Sequence, residues 1–410
     1  MASEIIGPNI GFILNNKTPA DVAKAMIESG RQKEPFYVFN MDEAYHRIQH
    51  FKKMMPRIQI FYAMKANDSD KMLKLAAELG LGFDCASPGE IYKILKLNIS
   101  PLSIIFAVPA KTPDGMVFAR ESGIRHTTFD TINELKKIKQ FWPDAKLLIR
   151  IKVDGESIYK LGEKFGCDFE TEAVNLLEEA AALGLKVVGV AFHVGSACSS
   201  ADSHVIGMRR ARALFDHEAR AGRSMNIIDI GGGFLSDRTD RIDQVSKLIN
   251  STLEELFPDP NIQVISEPGR YICDSSCNMY CSINNIRRIS PEIKNDKLER
   301  TILWGPSCDS MDRVMQNVEI LLPRCTSFDW LVFSTQGAYS FGFATFFSCL
   351  EKPLIRSVIS QTLWDQIKNS IFFGSDIFKK DPDISSPLPS TVPPIVKTAT
   401  IAGSNYTLKI

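Results

Sequence analysis

The feature that most constrains this chain is a beat of apolar strand and amphipathic helix, without a fixed sequence repeat, running from Ile58 to Glu267. Strands are expected at Ile58–Asn67, Gly82–Ala86, Ser103–Val108, His126–Phe129, Lys146–Val153, Val187–Val194, Asn226–Gly231 and Ile262–Glu267. Helical patterns separate them. In Asp70–Leu79, Leu73, Leu75, Ala76 and Leu79 lie mainly on one side, and Gly80 stands where the helix should stop. Ser87-Pro88-Gly89-Glu90 opens the next helix, with proline at its first position and Glu90 at capping-box spacing. Such alternation implies a parallel sheet, and eight units are the number that closes a TIM-like (β/α)8 barrel. An open doubly wound sheet is disfavoured, because no Gly-x-Gly-x-x-Gly follows the first strand.

The beat ends near Met279, and shorter strands follow at Thr301–Trp304, Trp330–Phe333 and Leu354–Ser357. Residues 1–40 are expected to lend the strand Pro35–Asn40 to a β-rich second domain. The barrel would then occupy 41–278, the second domain 279–375, and a proline-, serine- and threonine-rich flexible tail 376–410. Lys+Arg and Asp+Glu balance at 48 each, which leaves no electrostatic footprint for nucleic acid or an anionic membrane. No apolar run reaches membrane-spanning length, and Met1–Gly7 lacks the basic flank and apolar core of a secretory signal, so a cytoplasmic protein is expected. The nine cysteines, an odd number scattered along the chain, fit reduced thiols better than a disulfide framework. Cys273, Cys277 and Cys281 recur every fourth residue, but no histidine stands close to them, and no metal site is expected there.

In a (β/α)8 barrel the reactive groups collect at the carboxyl ends of the strands, with phosphate commonly held after the last two. Those ends carry Lys65, Asp84, Arg150, His193 with Ser196, the run Asp229-Ile230-Gly231-Gly232-Gly233-Phe234, and Glu267-Pro268-Gly269-Arg270-Tyr271. A lysine in apolar company must snorkel, pair with a carboxylate or lose its proton, and in the last case it can condense with an aldehyde. The glycine run lets backbone amides approach a phosphate, and arginine adds charge. Read singly, each residue has an ordinary alternative: a solvent-seeking lysine, a core histidine, a structural arginine pair, a tight turn. Their joint placement at strand ends selects the site.

The stretches Phe61–Asn67, Phe83–Ser87, His193–Ser196, Asp229–Phe234, Glu267–Tyr271, Trp304-Gly305-Pro306-Ser307-Cys308-Asp309 and Gly337-Ala338-Tyr339 together carry a resemblance. The chain resembles the eukaryotic ornithine decarboxylases, within the pyridoxal-phosphate-dependent amino-acid decarboxylases with an alanine-racemase-like barrel. That resemblance implies that Lys65 holds pyridoxal 5'-phosphate until the amine of the substrate, ornithine, displaces it. It implies that Glu267 keeps the ring nitrogen protonated and that His193 stacks on the ring. Asp84 and Arg150 would support the lysine and the ring oxygen. Ser196, Gly233 and Arg270 would bind the phosphate, with Tyr339 adding a hydroxyl, and Gly231, Gly232 and Gly269 would be further cofactor-binding residues. Cys308, from the partner subunit of a homodimer, would reprotonate the α-carbon, and Asp309 would face the substrate's distal ammonium.

One departure stands out. The family carries a tyrosine-rich Asp-Gly-x-Tyr-x-Ser motif before the Trp-Gly-Pro stretch, whereas here Ser282-Ile283-Asn284-Asn285 runs through a short charged connection into Thr301–Trp304. The intact barrel residues imply decarboxylation of ornithine to putrescine, and the shortened β-domain implies the alternative, a regulator similar to antizyme inhibitor. The stretch Val117–Lys139, with Lys136, Lys137 and Lys139, is similar to the antizyme-binding region and fits both.

Overall fold

A computed structural model describes residues 11–153, 155, 157–159, 161–198, 200–236, 241–287, 298–315, 318, 320–374, 377–380 and 408–409. The chain divides into two compact units, Tyr45–Cys273 and Met1–Ala44 with Asp274–Ile410. Eight parallel strands of the first close into a barrel. They are β1 (Ile58–Ala63), β2 (Gly82–Cys85), β3 (Ile104–Phe106), β4 (His126–Phe129), β5 (Lys146–Ile151), β6 (Lys186–Phe192), β7 (Ile227–Asp229) and β8 (Gln263–Ser266). Each pairs with the next in sequence, and β8 returns to β1, Val264 opposite Ile58. The closed barrel is the fold class the alternation implies, and closure removes every free sheet edge.

The barrel is filled rather than hollow. Ile105 of β3, Leu148 of β5, Val188 and Ala191 of β6, Ile227 of β7 and Ile265 of β8 form one buried cluster, with Phe61 of β1 against it. Because β3 and β5 are not neighbours, the cluster spans the interior, and each such aliphatic removed from water contributes about 1.5–3 kcal/mol. The helices start where their sequences say: Ser87, Thr112 and Thr131 each accept the N–H of the residue three positions on. Glu90 completes its cap differently from a capping box, its Oε2 accepting the N–H of Ala86 at 2.6 Å. Among the described residues no helix is long and apolar enough to cross a membrane.

The second unit is built on a seven-stranded mixed sheet. The expected N-terminal strand, Phe36–Asn40, lies in its middle, parallel to Leu354–Ser360 and antiparallel to Cys277–Ser282. Phe36 stacks on Tyr280 at 5.1 Å and meets the edge of Trp330 at 5.9 Å. Gly11–Leu14 adds a strand that sequence patterning did not mark. Nor is everything from 376 onward outside the fold: Phe378–Lys380 pairs with Gly11–Ile13, and Leu408–Lys409 with Val332–Phe333. Residues 381–407 of the expected tail lie outside the described residues.

Candidate active site

The barrel's carboxyl rim brings the strand-end residues together. Lys65 does not end a strand, as patterning suggested. β1 stops at Ala63 and Lys65 sits in a single 3-10 turn, Met64–Ala66, whose exit is tied down by the buried Tyr62 hydroxyl donating to the Asn67 carbonyl at 3.0 Å. Lys65 is also not enclosed. Its side chain is 40% exposed and its Nζ contacts the fully buried carboxylate of Asp84, so it is an accessible, ion-paired amine rather than a desolvated one. The other Asp84 oxygen, Oδ1, is buried without a protein partner. Gly269 makes this closeness possible, for a Cβ there would stand 2.8 Å from the Ala66 Cβ and 3.2 Å from the Ala63 carbonyl. It packs against the Lys65 turn.

Glu267, just past β8, is buried, and burial together with Asp229 and Asp84 pushes its pKa well above the carboxylate range. Lys65 and Arg150 pull the other way, as nearby cations do. Asp229, at the end of β7, is hydrogen-bonded to Glu267, and its pKa is likewise raised, chiefly by burial. Two carboxyl groups buried against each other cannot both be ionised, so the pair holds a proton. His193 is half-buried and its pKa is driven well below the usual value by burial, then by Arg150 and Lys65. Its Nδ1 accepts the Gly195 N–H at 3.0 Å, so the neutral ring carries its hydrogen on Nε2. Arg150, on β5, lies over the Phe165 ring at 5.5 Å.

The glycine turn after β7 divides into two parts. Gly231, at φ +65°, donates its N–H to Asp229, and its carbonyl accepts from Glu267 N–H and Ser266 Oγ. It shapes the turn, and its amide is engaged by Asp229. The amides of Gly232 and Gly233 have no acceptor among the described residues. A Cβ on Gly232 would lie 2.7 Å from the Glu267 carbonyl and 3.0 Å from His193 Nε2, and one on Gly233 would lie 2.6 Å from Val194 Cγ2. Beside them Arg270 Nε donates to Ser196 Oγ at 3.3 Å. Free amides, a hydroxyl and a guanidinium on one rim form an oxyanion cradle. With an amine and a buried acid close by, these residues fit pyridoxal phosphate.

Cys308, Asp309 and Tyr339 belong to the other unit. Cys308 and Asp309 are exposed on the loop Gly305–Asp312. The Gly337–Tyr339 segment, expected among the strands, is an irregular stretch with Tyr339 at φ +56°. Sequence reading quoted Asp229 within its motif and gave it no role; its place at the end of a buried strand was the available signal.

The chain matches the model of the pyridoxal-dependent decarboxylase pyridoxal-binding domain over residues 41–274 and that of the C-terminal sheet domain over 271–337. It therefore belongs to the pyridoxal-dependent decarboxylases, enzymes that use pyridoxal phosphate to remove CO2 from amino acids. It is similar to ornithine decarboxylase 2 of Drosophila melanogaster, 32% identical over 76% of this chain and 88% of the relative. It is likewise similar to ornithine decarboxylase of Panagrellus redivivus, 34% identical over 83% and 89%. Among solved structures, the arginine decarboxylase of Paramecium bursaria Chlorella virus bound to agmatine matches with a TM-score of 0.76 at 27% identity, covering 84% of this chain and all of that one.

Proposed function

We propose that this chain converts L-ornithine to putrescine and CO2. The observation that carries this reading is the convergence on one rim of the Lys65–Asp84 pair, the protonated Glu267–Asp229 pair and the cradle of Gly232, Gly233, Ser196 and Arg270. Lys65 is the amine that would hold the cofactor, and Asp84 would orient it. Bound pyridoxal phosphate supplies the sink for the electron pair left when CO2 departs. Glu267 would hold a proton at the ring nitrogen of the bound cofactor. His193, neutral, would lie against the ring without adding charge, and Arg150 would serve the ring oxygen.

We assign the return of a proton to the α-carbon to Cys308 of the partner subunit, and recognition of the distal ammonium to the partner subunit's Asp309, so the working unit is a homodimer. The exposed Phe343, Phe346 and Phe347 of the sheet unit support such a covered surface. All nine cysteines are free, which supports a reducing compartment such as the cytoplasm. The relatives named ornithine decarboxylase support the choice of substrate.

The test is direct. Purified protein should show the visible absorbance of bound cofactor, lost in Lys65→Ala, and should release CO2 from ornithine faster than from lysine or arginine. A colourless, inactive protein that captures antizyme through the helix Ile132–Phe141 would select the regulator instead. On that helix Lys136 and Lys139 are exposed, whereas Lys137 is spent on the buried Glu134 at 2.5 Å.

A further inference from the structure

His204 lies in the first turn of the helix Asp202–Arg220, only 2% exposed, and none of the roles above uses it. Its ring stacks on Phe234 at 5.0 Å and 24°, and meets the edge of Phe192 at 6.5 Å. Its Nε2 is 3.2 Å from the carbonyl oxygen of Gly232, the middle residue of the glycine turn. A carbonyl only accepts, so Nε2 carries the hydrogen and Nδ1 is a bare acceptor. Nδ1 is buried without a protein partner, beside a cavity of about 20 Å³ lined by Cys198, Ser200, Gly233 and Phe234, large enough for one water molecule. Burial holds the imidazole pKa down at about 4, so the ring is a neutral single donor near neutral pH.

What that one bond does follows from peptide geometry. In a trans peptide the C=O of one residue and the N–H of the next point in opposite directions, and no peptide among the described residues is cis. A Gly232 carbonyl drawn toward His204 therefore turns the Gly233 N–H to the opposite side, where no described residue accepts it. Gly233 sits at φ +106° and neither glycine has a side chain to lock the peptide plane, so that plane must be held from outside. The next peptide has its own anchor, the Gly233 carbonyl accepting from Cys198 N–H at 2.9 Å.

We propose that His204 is a positioning residue of the phosphate cradle: by holding the Gly232 carbonyl it aims the Gly233 N–H at the cofactor's phosphate. This rests on the reading of the glycine turn as the phosphate site. The experiment titrates the apoprotein with pyridoxal phosphate and with pyridoxal, which lacks the phosphate, for the native chain, His204→Phe and His204→Gln. Phenylalanine keeps the stack on Phe234 and loses the donor, and the glutamine amide reaches the place of Nε2. His204→Phe should bind pyridoxal phosphate about tenfold more weakly with pyridoxal affinity unchanged, and His204→Gln should recover most of the loss. Equal weakening toward both ligands would make His204 a packing residue and overturn the proposal, as would no weakening at all. If the native chain does not prefer pyridoxal phosphate to pyridoxal, the cradle itself is refuted. Should His204→Phe not fold, nitrogen-15 spectra of the native histidines decide: a neutral ring protonated on Nε2 is expected, and a hydrogen on Nδ1 or an imidazolium overturns it.

Discussion

The barrel rim and the Gly305–Asp312 loop of the sheet unit are both dense in polar groups, and they treat them in opposite ways. On the loop the polar groups bond to one another: Gly305 N–H donates to the Asp312 carbonyl, Ser307 N–H and Oγ to the Asp312 carboxylate, and Met311 N–H to Asp309 Oδ1. The result is a self-satisfied turn that leaves Cys308 and Asp309 outside. On the rim the groups are buried yet left short of partners, as with Asp84 Oδ1 and the amides of Gly232 and Gly233. Buried polar groups without partners cost stability, and a ligand that satisfies them recovers that cost. The rim is therefore built to receive a molecule, whereas the loop needs none to satisfy its polar groups.

The largest effect should come from Lys65→Ala, which should lower turnover about a thousandfold or more and abolish the cofactor's visible absorbance. Turnover that survives would place the chemistry away from the rim. Next, Cys308→Ala should lower kcat by about ten- to a hundredfold with cofactor absorbance intact. Mixing it with Lys65→Ala chains should restore activity, because one site of each mixed dimer then holds both groups. Mixed chains that stay inactive would break the division of labour between rim and loop.

Gly233→Ala sharpens the contrast. Its Cβ would meet Val194 Cγ2 at 2.6 Å at φ +106°, so it should cost about 1–3 kcal/mol of stability and weaken pyridoxal phosphate binding. The smallest effect concerns the buried acids. Because the folded pKa values of Glu267 and Asp229 are raised, the folded apoprotein binds the extra proton. The stability that proton provides is fully present below about pH 4 and is lost as pH rises toward neutrality and through the folded values. His193 and His204, with lowered pKa values, contribute the opposite slope in any variant that keeps them, so the comparison is with Asp229→Asn. The melting temperature of the native apoprotein relative to that variant should fall over that range. A native-to-variant difference that does not fall from pH 5 to pH 8 would contradict the shared proton.

The barrel was legible because its strands and helices are separated by plain periodicity and by turn residues, so all eight strands fell where the apolar runs lie. Lys65, Asp84, His193, Glu267 and the glycine run were legible as chemistry-bearing residues at strand ends. His204 was not: nothing in Asp202-Ser203-His204-Val205 marks a buried histidine, and only the approach of the helix start to the turn after β7 gives its Nε2 a partner. Gly231 and Gly233 read alike in the sequence, yet one amide is consumed by Asp229 and the other is free.

By itself the sequence determined the alternation that closes a barrel, since local periodicity and turn residues act over a few neighbours and need no distant partner. It also determined which residue types stand at the carboxyl ends. The tertiary structure alone decided which of those groups stay unsatisfied, that Glu267 and Asp229 share a proton, and which way the Gly232 peptide faces. Those are outcomes of burial and of contacts between residues far apart in the chain, and no local pattern encodes them.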